Sequence, residues 1–248
     1  MSENNISRIN IERAQILWNY EVLNEPVRRN ADAIVLLGSF DLYTARVAAG
    51  LVLSGFSDTL IICGGKDGWN CELLKSKDKG LSMAEILAKE VDKYNIEYEL
   101  LKETKNTGEE IKSAYNLLKN RNNKSKYVIG VHMPSSERRD KATFQKQCPK
   151  LENVIMVSPR MTIEEYQQKG YMGLFPWRNF IEDLMGGFQR TFIYSRPEFG
   201  FQVPQTQMPE KSVLESYQHL LENGFTRSLV RKKNGEIYSV EDFCVANP

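Results

Sequence analysis

Two patterns alternate along this chain. Short runs that are apolar throughout, as a strand covered on both faces must be, occur at 33–37 (AIVLL) and 59–63 (TLIIC). Further β-branched runs lie at 98–101, 127–131 and 154–157, with amphipathic stretches over 43–54, 82–94, 107–120 and 136–147 between and beside them. That alternation predicts repeated βα units and a mainly parallel sheet, in which the loop after every strand lies on one rim. Residues 7–23 read as an amphipathic helix ahead of Pro26, and 175–193 and 211–223 as helices that follow the sheet. Near the end, Asn234-Gly235 sits between two alternating runs across 228–240, the local signature of a β-hairpin. The pattern divides the chain into an N-terminal helix (1–30), an α/β core (31–160) and a C-terminal helical extension with the hairpin (161–248), packed on the core.

Four strand ends carry residues able to meet a ligand. Gly38 and Ser39 follow the first strand and lead into a helix bearing Arg46, where a helix N-terminus offers N–H groups to an anion. Gly64, Gly65, Lys66, Asp67 and Gly68 follow the second strand in a connection longer than most βα loops, leading to a helix that holds Glu85. Such a loop can wrap backbone amides around a phosphate while Lys66 neutralises it. Asn106 and Thr107 start the next helix, and Glu109 or Glu110 completes a capping box there. Asn106 is also placed to turn its amide toward a ligand. His132 ends the fourth strand, and its residue type, with a pKa of about 6.5, suits acid–base work. Arg138 and Arg139 sit together at a helix start, where an anionic ligand would offset their clash with the dipole, although they point about 100° apart.

Composition narrows the chemistry. Lys+Arg 33 against Asp+Glu 32 gives a net charge of +1, which argues against a nucleic-acid partner or an anionic membrane surface. No run approaches a bilayer span, and the N-terminus has no apolar signal core, so a cytoplasmic protein is expected. Cys63, Cys71, Cys148 and Cys244 form no CxxC pair and read as reduced thiols, and with His132 and His219 far apart no metal site is expected from protein ligands alone. The dinucleotide fingerprint GxGxxG, the P-loop and the GxSxG elbow are all missing.

The ordered set 31–38 (ADAIVLLG), 61–65 (IICGG), Met83-Ala84-Glu85, Asn106-Thr107-Gly108-Glu109 and 138–144 (RRDKATF) resembles the YdcF-like family over roughly residues 31–147. The resemblance implies a Rossmann-like three-layer sandwich with Gly38, Gly64, Gly65, Glu85, Asn106, Thr107, Glu109 and Arg139 near the pocket. The branch without a membrane anchor is the nearer relative, which implies S-adenosylmethionine binding. Two positions depart from the family: Met133 precedes Arg138 by five residues, and Glu110 stands where asparagine is frequent. The expected partner is a small phosphate-bearing or nucleoside-like molecule at the rim. If the chain is an enzyme, Glu85, Glu109 and His132 are the acid–base candidates of a hydrolase or transferase, with a divalent cation admitted. The alternatives are an S-adenosylmethionine sensor or methyltransferase, and a non-catalytic module using Phe175, Trp177 and Phe188 for packing or as a homodimer surface.

Overall fold

The computed structural model describes residues 6–66, 80–121, 125–170 and 176–243. Asp67, Gly68, Cys71, Phe175 and Cys244, singled out above, lie outside them. The chain falls into two compact units: a sheet unit of Asn24–Met133 and Thr143–Arg160, and a helical unit of Met1–Leu23, Pro134–Ala142 and Met161–Pro248.

The sheet unit contains β1 (Ala33–Leu36), β2 (Leu60–Cys63), β3 (Glu99–Leu101), β4 (Tyr127–Val131) and β5 (Asn153–Val157). All pairs are parallel, in the order β3-β2-β1-β4-β5, which makes the fold Rossmann-like α/β. On one face Ile34, Leu36, Leu60 and Ile62 pack with Ala45 and Ala48 of α2 (Leu42–Leu53) and Ala84 and Leu87 of α3 (Met83–Val91). The small residues let these helices lie close to the branched strand side chains. Fully burying one such side chain contributes about 1.5–3 kcal/mol. On the other face Gly130 leaves room for Phe144 and Met156, and the buried Cys63 and Cys148 thiols point at carbonyls of Glu110 and Ile111 in α4 (Thr107–Arg121).

The helices α2, α3 and α4 of this unit each start on a side chain that takes an orphaned N–H. Asp41 accepts from Tyr43 N at 2.9 Å, Ser82 and Glu85 form a reciprocal capping box, and Asn106 Oδ1 accepts from Glu109 N at 3.0 Å.

In the helical unit, α1 (Arg8–Glu21), α6 (Trp177–Ile193) and α7 (Lys211–Glu222) enclose an aromatic core, with Trp18 on Tyr166 at 4.9 Å, Phe188 on Tyr217 at 5.1 Å and Phe192 stacked on Phe243 at 4.6 Å. The helix α5 (Glu137–Gln147) contributes its first six residues to this unit. The hairpin expected over 228–240 is reduced to its turn. Gly235 has φ +88° and Lys232 N donates to Glu236 O at 2.7 Å, but the described residues there form one isolated antiparallel bridge, Arg231 to Ile237. The physical reason is competition: the Gln189 side chain accepts from Val230 N at 2.7 Å and donates to the Val230 and Tyr238 carbonyls, taking groups that a ladder would pair.

The close approach of the β2 and β3 ends is testable. A Cβ on Gly65 would stand 1.6 Å from the Thr104 carbonyl oxygen, whereas one on Gly50, in α2, would meet nothing within 4 Å. Gly65→Ala should therefore cost about 3 kcal/mol in urea unfolding. Gly50→Ala should be neutral or stabilising by up to about 1 kcal/mol.

Candidate functional site

The strand order reverses between β1 and β4, and at such a switch point the loops leave a crevice beyond the strand ends. Gly38, the second residue after β1, is held there from both sides. Its N–H donates to Glu110 Oε2 at 3.0 Å, and its carbonyl lies 3.1 Å from His132 Nε2, beyond the end of β4. A Cβ on Gly38 would fall 2.8 Å from Glu110 Oε1 and 2.9 Å from the Gly64 Cα. His132, 2% exposed, is thus a brace for the loop across the switch point. Ser39 is also buried, and its hydroxyl accepts from Asp41 N at 2.9 Å, shaping the turn into α2.

The glycine pair after β2 is used differently from a phosphate cradle. Gly64 N donates to Leu101 O, while the Gly64 and Gly65 carbonyls accept from Ala84 N and Met83 N, so the α3 N-terminus is satisfied by the chain itself. Lys66 is exposed next to them. Glu85 closes the same helix end: Ser82 N–H and hydroxyl, then Lys102, hold its carboxyl down to about 2. At neutral pH it is an ionised cap. Arg46 lies away from the rim, bonded to Glu90 at 2.8 Å and stacked over Tyr43 at 4.5 Å.

A small cavity of about 60 Å³ opens beside Gly38, lined by Gly65, Met83, Thr104, Lys105, Asn106, Thr107 and Glu110. It has room for one recognised group of a ligand rather than a whole nucleotide, since whole-ligand pockets run to roughly 300–1,000 Å³. Asn106 caps α4, and Glu109, exposed, returns its carboxylate to Lys105 N at 2.9 Å. The carboxylate that reaches the crevice is Glu110, one position on and about 100° around the helix. Sequence reading named Glu110 as an alternative capping-box member and as a departure from the family pattern; with Asn106 as N-cap, Glu109 turns back to the Lys105 N–H and Glu110 is left for the interior. Thr104, at the head of the same segment, was given no role by sequence reading. Its hydroxyl is buried without a protein partner among the described residues, and its sequence context carried no signal for that.

Arg138 and Arg139 belong to the helical unit, where protein groups offset their position at a helix start. Arg138 donates through Nε and Nη2 to Tyr20 O at 3.0 and 2.8 Å and lies 4.0 Å over the Tyr20 ring. Arg139 pairs with buried Asp140 at 3.2 Å and donates to Ser136 Oγ at 3.0 Å. Close by, Glu21 is fully buried, with Thr191 Oγ1 at 3.3 Å from both carboxyl oxygens. Burial pushes its pKa up to about 7 against the pull of both arginines. Among the described residues no three His, Cys, Asp or Glu side chains converge as metal ligands, and no helix is long and apolar enough to cross a membrane.

Strand order and switch-point crevice define a Rossmann-like α/β protein. The chain is 30% identical over 218 residues to the uncharacterized protein SCO4629 of Streptomyces coelicolor, covering 88% of this chain and 93% of that one, and it belongs to the same family. No family model matches. Among solved structures, an NMN synthetase from Francisella tularensis aligns over 93% of this chain and 100% of its own at 14% identity and TM-score 0.35. A U34-tRNA thiolase, NcsA, from Methanococcus maripaludis aligns over 94% and 86% at 12% identity and TM-score 0.36. A short-chain dehydrogenase from Oenococcus oeni covers 65% and 73% at 14% identity and TM-score 0.31. The fold assignment rests on the strand order itself.

Glu21 yields a signed pH dependence. Its native pKa of about 7 exceeds the ordinary 4.5, so the native state binds its proton more tightly than the unfolded chain. The contribution is fully present below the unfolded value and is lost as pH rises through about 7. Glu21→Gln should remove up to roughly 3 kcal/mol of stability loss between pH 4.5 and 8, read as a flatter plot of unfolding free energy against pH. An unchanged slope would contradict the assignment.

Proposed function

We propose that this chain is a YdcF-like ligand-binding protein, taking a small nucleoside-like or phosphate-bearing molecule at the C-terminal rim of its sheet. The observation that carries the reading is that buried Glu110 and Thr104 line one cavity at the switch point, and that the buried Thr104 hydroxyl has no protein partner among the described residues. A buried hydroxyl without a partner costs about 1–3 kcal/mol, which a ligand group in the cavity would recover. Glu110 suits a ligand that donates, as ribose hydroxyls do. Thr107 and Gly108 open α4 with N–H groups that have no backbone acceptor among the described residues, and with exposed Lys105 and Lys66 they suit a phosphate on the same ligand.

Binding is favoured over catalysis because the three expected acid–base side chains already serve the fold: Glu85 and Glu109 cap helices, and His132 braces Gly38. An accepting carboxylate beside a hydroxyl suits the ribose of S-adenosylmethionine, with Glu110 and Thr104 as its holders, so that molecule belongs among the probes. The buried free thiols of Cys63 and Cys148 support a reducing, cytoplasmic setting.

The test is a thermal-shift and calorimetric screen of the whole chain against S-adenosylmethionine, nucleoside phosphates, nucleotide sugars and sugar phosphates, with and without Mg²⁺. A ligand at 100 times its Kd should add about 2.7 kcal/mol to stability. Thr104→Val should keep or raise the melting temperature of the free protein while weakening the ligand by up to about tenfold. Silence from every probe, or full affinity in Thr104→Val, would overturn the proposal.

A further inference from the structure

A second cleft, of about 490 Å³, lies wholly within the helical unit and is unrelated to the rim reading. Its volume is that of a small-molecule site. One side of it is Arg138. Two hydrogen bonds to the Tyr20 carbonyl and the stack on the Tyr20 ring fix the guanidinium in place, so holding a ligand would cost little further side-chain freedom. Among the described residues no carboxylate reaches ion-pair distance of Arg138, although it is a full cation. The bonds to Tyr20 use Nε and one side of Nη2, leaving the Nη1/Nη2 edge, whose spacing matches the two oxygens of a carboxylate. Ile16, Tyr20 and Val213 supply an apolar wall, and Ser212, in the first turn of the twelve-residue α7, brings a hydroxyl to the cleft.

Charge decides between anions. Among the described residues the cleft is lined by one cation, Arg138, and by the carboxylate Glu210, so the second charge of a dianionic phosphate monoester would lose water with no cation to pair with. A single negative charge is matched by Arg138, and a short hydrocarbon can lie on the apolar side, with the polar Asn19, Gln205, Thr206 and Gln207 also lining the cleft. We propose that this cleft binds a small organic monocarboxylate, its carboxylate on the outer edge of Arg138 and its hydrocarbon part against Ile16, Tyr20 and Val213.

The experiment is calorimetric titration of the whole chain with hexanoate, with hexanamide as the neutral analogue and inorganic phosphate as the competing anion. Hexanoate should bind, hexanamide should bind at least about tenfold more weakly, and phosphate should bind more weakly than hexanoate. Ser212→Glu places a negative charge in the cleft at a position where the α7 dipole favours it, so it should keep the melting temperature and lose at least about tenfold in hexanoate affinity. Glu110→Gln, in the other unit, should leave hexanoate binding unchanged, which separates this site from the rim. Methyl NMR shifts of Ile16 and Val213 on titrating the unsubstituted protein give a readout independent of any variant. No heat with hexanoate, equal binding of hexanamide, tighter binding of phosphate, an undiminished Ser212→Glu, a weakened Glu110→Gln, or silent Ile16 and Val213 methyls would each overturn the proposal.

Discussion

The sheet unit depends on one close approach of backbone to backbone. Where β1 and β2 end, Gly38 and Gly64 come so near that a Cβ on either would lie about 3 Å from the other's Cα, and Gly65 abuts the carbonyl of Thr104. Only a chain without side chains at these points lets the three loops converge. Glu110 on the Gly38 amide and His132 on its carbonyl then fix the convergence across the switch point. The crevice exists because the glycines permit it, and it keeps its shape because these two side chains hold the peptide.

Most polar groups on that rim are already engaged. Asp41, the Ser82–Glu85 box and the Asn106–Glu109 pair satisfy the starts of three helices, and the Gly64 and Gly65 carbonyls take two further N–H groups of α3. An anion site built on the α3 N-terminus would have to displace protein partners. The cavity itself is lined by a narrower set, among them Thr104, the opening turn of α4 and Glu110, which also accepts from Gly38 N.

Two glutamates show how far environment outweighs residue type. Glu85, surrounded by the donors of Ser82 and Lys102, stays ionised into strong acid, whereas Glu21, stripped of water, holds its proton toward neutrality despite two nearby arginines. In the helical unit the paired arginines diverge as adjacent helix positions must. Arg139 turns inward to Asp140 and Ser136, and Arg138 is pinned on Tyr20 at the side of a cleft.

The alternation of apolar runs with amphipathic stretches determined the five strands and their flanking helices nearly to the residue, because a buried parallel strand and a half-buried helix impose different periods that only side-chain type must satisfy. Capping chemistry is equally local, so a cap at Asn106 or Thr107 with Glu109 or Glu110 was legible in the sequence, though not which pair forms it. The sequence could not say which of two adjacent glutamates enters the crevice, that His132 is a brace, or that Thr104 is buried without a partner. Nor could it say that Gln189, some forty residues away, would take the backbone groups of the hairpin its own turn invites. Those outcomes depend on which segments meet at long range, and only the tertiary structure brings the competing partners within reach of one another.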